Sequence, residues 1–212
     1  DQLEMEQIGY ILSEDLPPIT IFHEGLLRHP FRLYYSEKHN LITSLCEVPF
    51  VSGSYTDIAR TLMNWALHSG IKDILCLQGM RVDQYMPQDE TESFVAGEKK
   101  ILEQFLEQGV KKITQGIIVG AEAAVLNECM NNKLNGGVLM APANPRIPSP
   151  EGGAAILTEI AEMYNLPVNT DKLTEQASEI KNKMSALAEK SEAMRRSSGS
   201  MVSGVDPNRY FT

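Results

Sequence analysis

The chain has 212 residues, 42% of them hydrophobic, which is enough for one domain with a sizeable core and an appendage. Its formal net charge of -9 excludes a general nucleic-acid surface, because such surfaces neutralise phosphates with Lys and Arg. No apolar run is as long as a membrane span, and the scattered thiols of Cys46, Cys76 and Cys129 match neither a disulfide framework nor a zinc site. These features predict a cytoplasmic protein with reduced cysteines.

The first part of the chain reads as short strands followed by one amphipathic helix. A strand or extended arm and then a second strand are predicted around the Pro-Pro break of "MEQIGYILSEDLPPITIFHEG", and two more strands flank the polar turn "SEKHN". In "GSYTDIARTLMNWALHSG" the apolar spacing becomes helical; Ser54 can cap this helix and Gly70 can end it. The run "IKDILCLQG" then predicts a strand that ends at Gly79.

The middle of the chain alternates strands with helices. Strands are predicted at "SFVAG", "ITQGIIVG" and "GVLMA", the second of them buried, and helices at "EKKILEQFLEQG", "AEAAVLNECMNNK" and "EGGAAILTEIAEMYN". Alternation of this kind is typical of an α/β fold with a mainly parallel sheet flanked by helices. We assign residues 1–170 to this α/β body.

The remaining residues follow a different pattern. A helix is predicted over 171–196, with Thr170 or Asp171 as its cap, and a flexible Ser/Gly-rich tail over 197–212. The helix carries an apolar stripe near heptad spacing that either contacts another subunit or packs on the chain's own body. The stripe consists of Leu173, Ala177, Ile180, Met184 and Leu187.

Motifs that would require a catalytic explanation are missing from the sequence. His23 and His29 are six positions apart, so they miss the spacing that places two zinc ligands on one helix face. Gly116 and Gly120 follow neither the dinucleotide-binding nor the P-loop pattern, and Glu122 would repel an anion there; close backbone packing explains these glycines better. The sequence therefore predicts a protein that is not an enzyme and has no metal and no cofactor.

From Ile71 to Met184 the order of features resembles one family. The shared features are "GIKDILCLQG", the "GIIVG" run with its small-residue helix, "GVLMA", the proline loop before Ala154 and Ala155, and the ending "LPVNTDKLTEQASEI". This pattern resembles the proteasome assembly chaperone superfamily in its archaeal form. The resemblance implies a phosphorylase-like α/β fold in non-catalytic use, proteasome α subunits as partners, and a homo-oligomer, tetrameric or of another size. It implies no nucleic-acid and no membrane partner.

The same resemblance gives the C-terminus a role. Many members of the superfamily end in a hydrophobic residue, a tyrosine and any residue, and this tail inserts between neighbouring α subunits. Tyr210, Phe211 and Thr212 stand at these positions, with Phe211 in place of the tyrosine. A phenylalanine loses one possible hydrogen bond, worth about 0.5–1.5 kcal/mol, while the aromatic area and the terminal carboxylate remain.

Three functions stay open at the level of sequence. The first is a chaperone that holds α subunits or helps to assemble the α ring. The second is a proteasome activator or adaptor that uses the same tail to open the gate of a finished core particle. The third is a nucleoside phosphorylase-like enzyme that has kept the chemistry of its fold.

Overall fold

A computed structural model describes residues 2–14, 16–48, 55–82, 91–145, 148–175 and 179. Residues 171–175 begin a further helix after the last element named here. In chain order, the strands and helices are β1 (Glu6–Tyr10), β2 (Ile21–His23), β3 (Leu26–Arg28), β4 (Phe31–Ser36), β5 (Leu41–Cys46), α1 (Tyr55–His68), β6 (Asp73–Arg81), β7 (Phe94–Gly97), α2 (Lys99–Glu107), β8 (Lys111–Lys112), α3 (Ala121–Asn132), β9 (Asn135–Ala143) and α4 (Pro150–Tyr164).

The main sheet has four strands in the order β6-β9-β7-β8. β6 runs parallel to β9 and β8 runs parallel to β7, whereas β7 and β9 are antiparallel. Two of the three pairings are therefore parallel, and helices lie on both faces of the sheet. The predicted α/β class, with a mainly parallel sheet flanked by helices, is confirmed.

Strand β9 lies at the centre of this sheet. Seven of its nine residues are buried, as expected for a strand that is covered on both faces. Its glycines allow the helices to approach closely: a Cβ at Gly137 would lie 2.5 Å from Cγ2 of Ile101 in α2. On the opposite face, a Cβ at Gly136 would lie 2.7 Å from Cβ of Cys129 in α3. Both distances are shorter than carbon atoms tolerate, so the packing of the two layers depends on glycine here.

The two faces of the sheet bury separate apolar clusters. One cluster joins β7 and β9 to α2 and α4, and it contains Val95, Ile101, Phe105, Val110, Leu139, Ala141 and Ile156. The other joins α1 to α3 and contains Met63, Ala66, Cys129 and Leu134. Adjacent residues of β6 contribute to different clusters, since Leu75 packs against the first and Ile74 against the second. This alternation is the period-2 pattern of a strand between two helical layers.

The N-terminal strands form a separate antiparallel sheet in the order β1-β4-β5. Its central strand β4 carries Arg32, whose side chain is only 4% exposed. The guanidinium group donates to the Tyr34 hydroxyl at 2.7 Å, to the His29 carbonyl and to the Glu47 carboxylate. A buried charge with these partners is satisfied, so Arg32 ties β4 to the segments that flank it.

Two local predictions need correction. The run 113–120, "ITQGIIVG", is not a strand: β8 ends at Lys112, and Ile117 is 91% exposed. The buried centre of the sheet is occupied by β9, and glycines in the run weaken a strand further. β6 continues past Gly79 to Arg81. Thr170, one of the two predicted caps, is at the N-cap position of the helix at 171, because its carbonyl accepts from the Thr174 N–H at 3.2 Å; Asn169 Oδ1 also accepts from the Asp171 N–H at 2.7 Å.

Other boundaries follow the sequence prediction. Gly70 and Gly109 have positive φ angles of 76° and 93° just after α1 and α2, which is the conformation expected beyond a helix end. Ser54, the predicted cap of α1, lies outside the described residues. Within the described ranges, no helix is both long enough and apolar enough to cross a membrane.

Candidate functional site

The predicted docking tail, Tyr210, Phe211 and Thr212, lies outside the described residues. The same holds for Ala177, Ile180, Met184 and Leu187 of the apolar stripe. Leu173 is described: it is half-buried, and its N–H donates to the Thr170 carbonyl at 2.9 Å in the first turn of the helix. The tail contact and the stripe contact therefore stay predictions.

The point at which the C-terminal helix leaves the body is tied to the N-terminal segment. The Gln2 side-chain Nε2 donates to the Asn169 backbone carbonyl at 3.0 Å, and the Asn169 backbone N–H donates to the Gln2 side-chain Oε1 at 2.6 Å. The next residue, Leu3, is held in turn, because its carbonyl accepts from the fully buried Ser36 hydroxyl at 2.7 Å. The helix at 171 consequently starts beside the β1-β4-β5 sheet.

A first candidate protein-binding surface is the β2–β3 hairpin, which we call the apolar hairpin and define by Phe22, Leu26 and Leu27. These side chains are 75%, 64% and 78% exposed. Phe22 lies directly opposite Leu27, so the two present one apolar face to solvent. A cluster of large apolar side chains in solvent is typical of a surface that a partner covers.

The apolar hairpin has a defined turn at one end and side-chain contacts at the other. Its turn consists of Glu24 and Gly25, which have φ angles of 52° and 80°, as a tight two-residue hairpin turn requires. At its base, the ring of His29 stacks on Tyr10 with centroids 3.8 Å apart, and the His29 carbonyl accepts from Arg32. A preorganised hairpin loses little conformational freedom when a partner binds.

The misassigned run 113–120 forms a second apolar surface, which we call the apolar loop. Ile117 and Val119 are 91% and 67% exposed, and Leu77 of β6 is 47% exposed. The loop lies beside β6, since Gln78 Nε2 is 3.5 Å from the Val119 carbonyl oxygen. Gly120 has a φ of 94°, which lets the chain turn from this loop directly into α3. Conformation, and not close packing, explains this glycine.

The thiols are not arranged as nucleophiles. Burial raises the pKa of Cys76 to about 12 and that of Cys129 to about 11. Burial also raises the pKa of Cys46, whose Sγ lies 3.3 Å from the Val48 carbonyl. A thiol reacts as the thiolate, so burial lowers the reactivity of all three groups at neutral pH, most of all that of Cys76 and Cys129.

Neither apolar surface was identified from the sequence. The strands around Glu24 and Gly25 carry apolar residues at adjacent positions, and a three-residue strand with apolar side chains on both faces cannot bury both of them. This pattern in the sequence indicates that some apolar side chains of the hairpin stay exposed. For the apolar loop, the glycines that bracket Ile117 and Val119 were the only signal.

Several solved structures with this fold come from archaea. A Thermoplasma acidophilum protein of unknown function is 31% identical with a TM-score of 0.74, and the match covers 93% of this chain and 81% of that one. PbaA of Pyrococcus furiosus, an archaeal homologue of proteasome-assembly chaperone, is 25% identical with a TM-score of 0.80, covering 93% of this chain and 82% of PbaA. PbaB of the same organism, an archaeal proteasome activator, shares the fold at 16% identity and a TM-score of 0.76, with coverages of 88% and 84%.

These matches agree with the comparison of the sequence with protein families. The PAC2 family matches residues 1–188, which includes every described residue of the α/β body. The chain belongs to the PAC2 family.

Proposed function

We propose that this protein is a proteasome assembly chaperone that binds proteasome α subunits. The observation that carries the proposal is the similarity to PbaA, which has a TM-score of 0.80 over 93% of this chain at 25% identity. The role is one of binding and not of catalysis. The raised pKa values of Cys76 and Cys129 agree with such a role, because they leave the thiols unreactive.

Three parts of the chain have different roles in this proposal. The body over 1–170 contacts the α subunits through the apolar hairpin. Burial of its exposed apolar side chains against a partner removes apolar area from water, which favours binding. The helix over 171–196 holds a cytoplasmic homo-oligomer together through its apolar stripe. The tail over 197–212 tethers Tyr210, Phe211 and Thr212, which dock between neighbouring α subunits.

Avidity is the physical advantage of this arrangement. An oligomer that carries several tethered tails raises their effective concentration at the α-ring pockets, so contacts that are weak one by one become strong together. The terminal carboxylate of Thr212 can pair with a lysine of the α subunit, and the aromatic rings of Tyr210 and Phe211 supply buried area.

Deletion of Tyr210–Thr212 tests the proposal. The full-length and the truncated chain are compared for co-purification with α subunits and for their oligomeric state by light scattering. We expect the truncated protein to keep its oligomeric state and to lose most of its binding. A control variant, in which the three residues are replaced by Gly-Ser-Gly, keeps the length and should behave like the deletion.

Two results would contradict separate parts of the proposal. If the truncated chain binds as well as the full chain, the tail is not the docking element. If the full chain itself does not bind α subunits, the assignment as an assembly chaperone is wrong.

The second candidate function is proteasome activation, favoured by the fold shared with PbaB. An activator acts on a finished core particle, whereas an assembly chaperone acts on free α subunits. Peptide hydrolysis by preformed core particles therefore separates them. A rate that rises when this protein is added supports the activator, and an unchanged rate supports the chaperone.

The third candidate, a nucleoside phosphorylase-like enzyme, needs a site for phosphate. One cavity lies between β7, β8 and α4. Among the described residues, its lining includes three carboxylates, Glu92, Glu151 and Glu159, and a single cation, Lys111. Because carboxylates repel an anion, this cavity disfavours phosphate. A thermal-shift comparison with nucleosides and phosphate tests the point, and a clear rise in melting temperature would support the enzyme.

A further inference from the structure

The cavity between β7, β8 and α4 has a volume of about 360 Å³ and lies at one end of the main sheet. β7 runs antiparallel to β9 and parallel to β8, so the residues that enter β7 and β8 lie beside the carboxyl end of β9. From that end the chain passes into α4, whose first half closes the cavity. The carboxyl ends of strands in α/β sheets are a common position for ligand sites.

Ser93 is the first indication that this cavity has a ligand. The residue is only 5% exposed, and it lines the cavity at the entrance to β7. Its hydroxyl oxygen is buried without a hydrogen-bond partner among the described residues. Buried hydroxyls in proteins are almost always satisfied, so an unpartnered one marks a place where a water, an ion or another bound group can supply the missing partner.

The charges of the lining define the class of that group. Lys111 Nζ lies 2.7 and 2.6 Å from the two carboxylate oxygens of Glu92, so this cation is already neutralised. Glu151 is only 4% exposed, and Glu159 is half-buried. Burial, followed by the neighbouring charge of Glu162, raises the pKa of Glu159, so both disfavour the ionised carboxylate in this position. A cationic ligand would stabilise the Glu159 carboxylate against both its burial and the charge of Glu162, and an anion would destabilise it further.

We propose that this cavity binds a primary ammonium group, with the Glu159 carboxylate and the Ser93 hydroxyl oxygen as acceptors. An ammonium group donates three hydrogen bonds, so it can satisfy a carboxylate and a hydroxyl together. Val110, Ala154 and the methyl group of Thr158 supply apolar surface for the carbon chain that carries the ammonium. The ligand is a small aliphatic amine or the lysine side chain of a protein, which share this chemistry. The site uses neither the tail nor the apolar hairpin, so it is independent of the proposed function.

Calorimetric titration of the full chain at neutral pH and low salt tests the proposal. The probes are 1,4-diaminobutane for a free amine and Nα-acetyl-lysine amide for a lysine side chain, with 1-butanol as the uncharged comparison and magnesium chloride as a metal arm. We expect saturable binding of one amine probe per chain and none of 1-butanol. The tighter of the two amine probes identifies the source of the ammonium group.

Variants connect the binding to the two acceptors. Glu159→Gln removes a charge-assisted hydrogen bond and should weaken binding by about tenfold or more. Ser93→Ala should weaken it by a smaller factor and, because it removes an unsatisfied hydroxyl, should raise the melting temperature of the free protein. Glu103→Gln changes a carboxylate on the exposed face of α2, outside this cavity, and should leave binding unchanged.

The outcomes that overturn the proposal are equally specific. The first is the absence of saturable heat with both amines. The second is a Glu159→Gln variant that binds the amines as tightly as the unchanged protein. The third is a Glu103→Gln variant that loses as much binding as Glu159→Gln does. Magnesium binding that is tighter than amine binding and is lost in Glu159→Gln would identify a metal site instead. Circular dichroism of each variant establishes that it is folded, and Ser93→Ala keeps the test valid if Glu159→Gln fails to fold.

Discussion

Phe22 and Leu27 lie opposite each other across the β2–β3 hairpin, and 75% of the first residue and 78% of the second are exposed. A directly opposed apolar pair usually stabilises a hairpin by packing against a sheet or a helix as well as against each other. Here the pair faces solvent while the strand that follows, β4, is largely buried. The apolar hairpin is therefore a poor contributor to the core and a good candidate for contact with α subunits.

The first prediction concerns the double variant Phe22→Ser, Leu27→Ser. Because the two side chains bury little area, the free energy of unfolding should change by less than about 1 kcal/mol. Binding to α subunits should weaken. Urea denaturation and co-purification measure the two effects.

The matched control for this variant is Phe105→Ala, which removes the same type of side chain from a fully buried position in α2. It should cost about 3–5 kcal/mol. Equal destabilisation by the hairpin variant and by the control would show that the hairpin packs on the body.

The second prediction concerns the contact between the sheet and α2. In Gly137→Ala the new Cβ would meet Ile101 Cγ2 at 2.5 Å, so Ile101 or the strand must move, at a cost of about 1–3 kcal/mol. The control Gly153→Ala, within α4, adds a Cβ that meets nothing within 4 Å. It should be neutral or stabilise the protein by up to about 1 kcal/mol. A comparison of the two thermal midpoints checks this, and an equal shift would contradict the packing of α2 on β9.

The third prediction concerns the pH dependence of stability through Asp73. Burial raises the pKa of Asp73, but hydrogen bonds from Lys100 at 2.9 Å and from the Asn135 amide at 2.6 Å outweigh it and hold the pKa below the usual 3.8. A carboxyl group whose pKa is lower in the folded chain stabilises the fold above its unfolded pKa and loses that effect as the pH falls through its folded pKa. Asp73→Asn should therefore destabilise the protein at pH 7, and its deficit should shrink once the pH falls below 3.8.

Urea denaturation of both proteins across this acidic range measures the deficit. Glu103→Gln, which removes a carboxylate from an exposed helix pair with Lys99, serves as the comparison. A deficit for Asp73→Asn that is the same at pH 7 and in acid would show that the Asp73 interactions do not depend on its charge.

The fourth prediction concerns thiol reactivity. With a pKa of about 12 for Cys76 and about 11 for Cys129, few thiolates exist at mild alkaline pH, and Cys129 is also fully buried. Iodoacetamide should label Cys46 first, and it should label Cys76 and Cys129 only after denaturant is added. Mass spectrometry of the peptides measures the order. Rapid native labelling of Cys129 would contradict its position between α1 and α3.

The fifth prediction concerns the tail. Phe211→Tyr restores the hydroxyl that the resemblance leads us to expect, and one hydrogen bond of about 0.5–1.5 kcal/mol corresponds to roughly two- to twelvefold tighter docking on α subunits. Tyr210→Phe removes a hydroxyl from the neighbouring ring and is the control, with little effect expected. A tail that does not dock would leave both variants equal to the unchanged protein in a surface-binding assay.

Local patterns in the sequence predicted much of the secondary structure. Helices α1 and α2 follow from apolar residues at helical spacing, and Gly70 and Gly109 mark their ends because positive φ suits glycine. The turn "SEKHN" between β4 and β5 was equally clear. Such features depend on neighbours within a few positions, so a sequence pattern carries them.

The run 113–120 shows where this reasoning failed. An apolar run with β-branched residues resembles a buried strand, but the sheet can bury it only if a position beside a neighbouring strand is free. β9 holds the centre between β6 and β7, and the ladder beside β7 ends soon after Lys112. Ile117 and Val119 are thus left in solvent because distant segments occupy the strand positions. A pattern of neighbouring residues cannot predict that outcome.

The sequence by itself determined the α/β class, the helices and most strands, because spacing and turn residues act locally. Its likeness to a chaperone family also indicated the kind of partner and the tail that would bind it. Only the tertiary structure decided that β9 is the central strand, that the apolar hairpin and the apolar loop face solvent, and that Ser93 and Glu159 line one cavity. These properties arise from contacts between residues far apart in the chain, and burial is defined only when the whole fold is present.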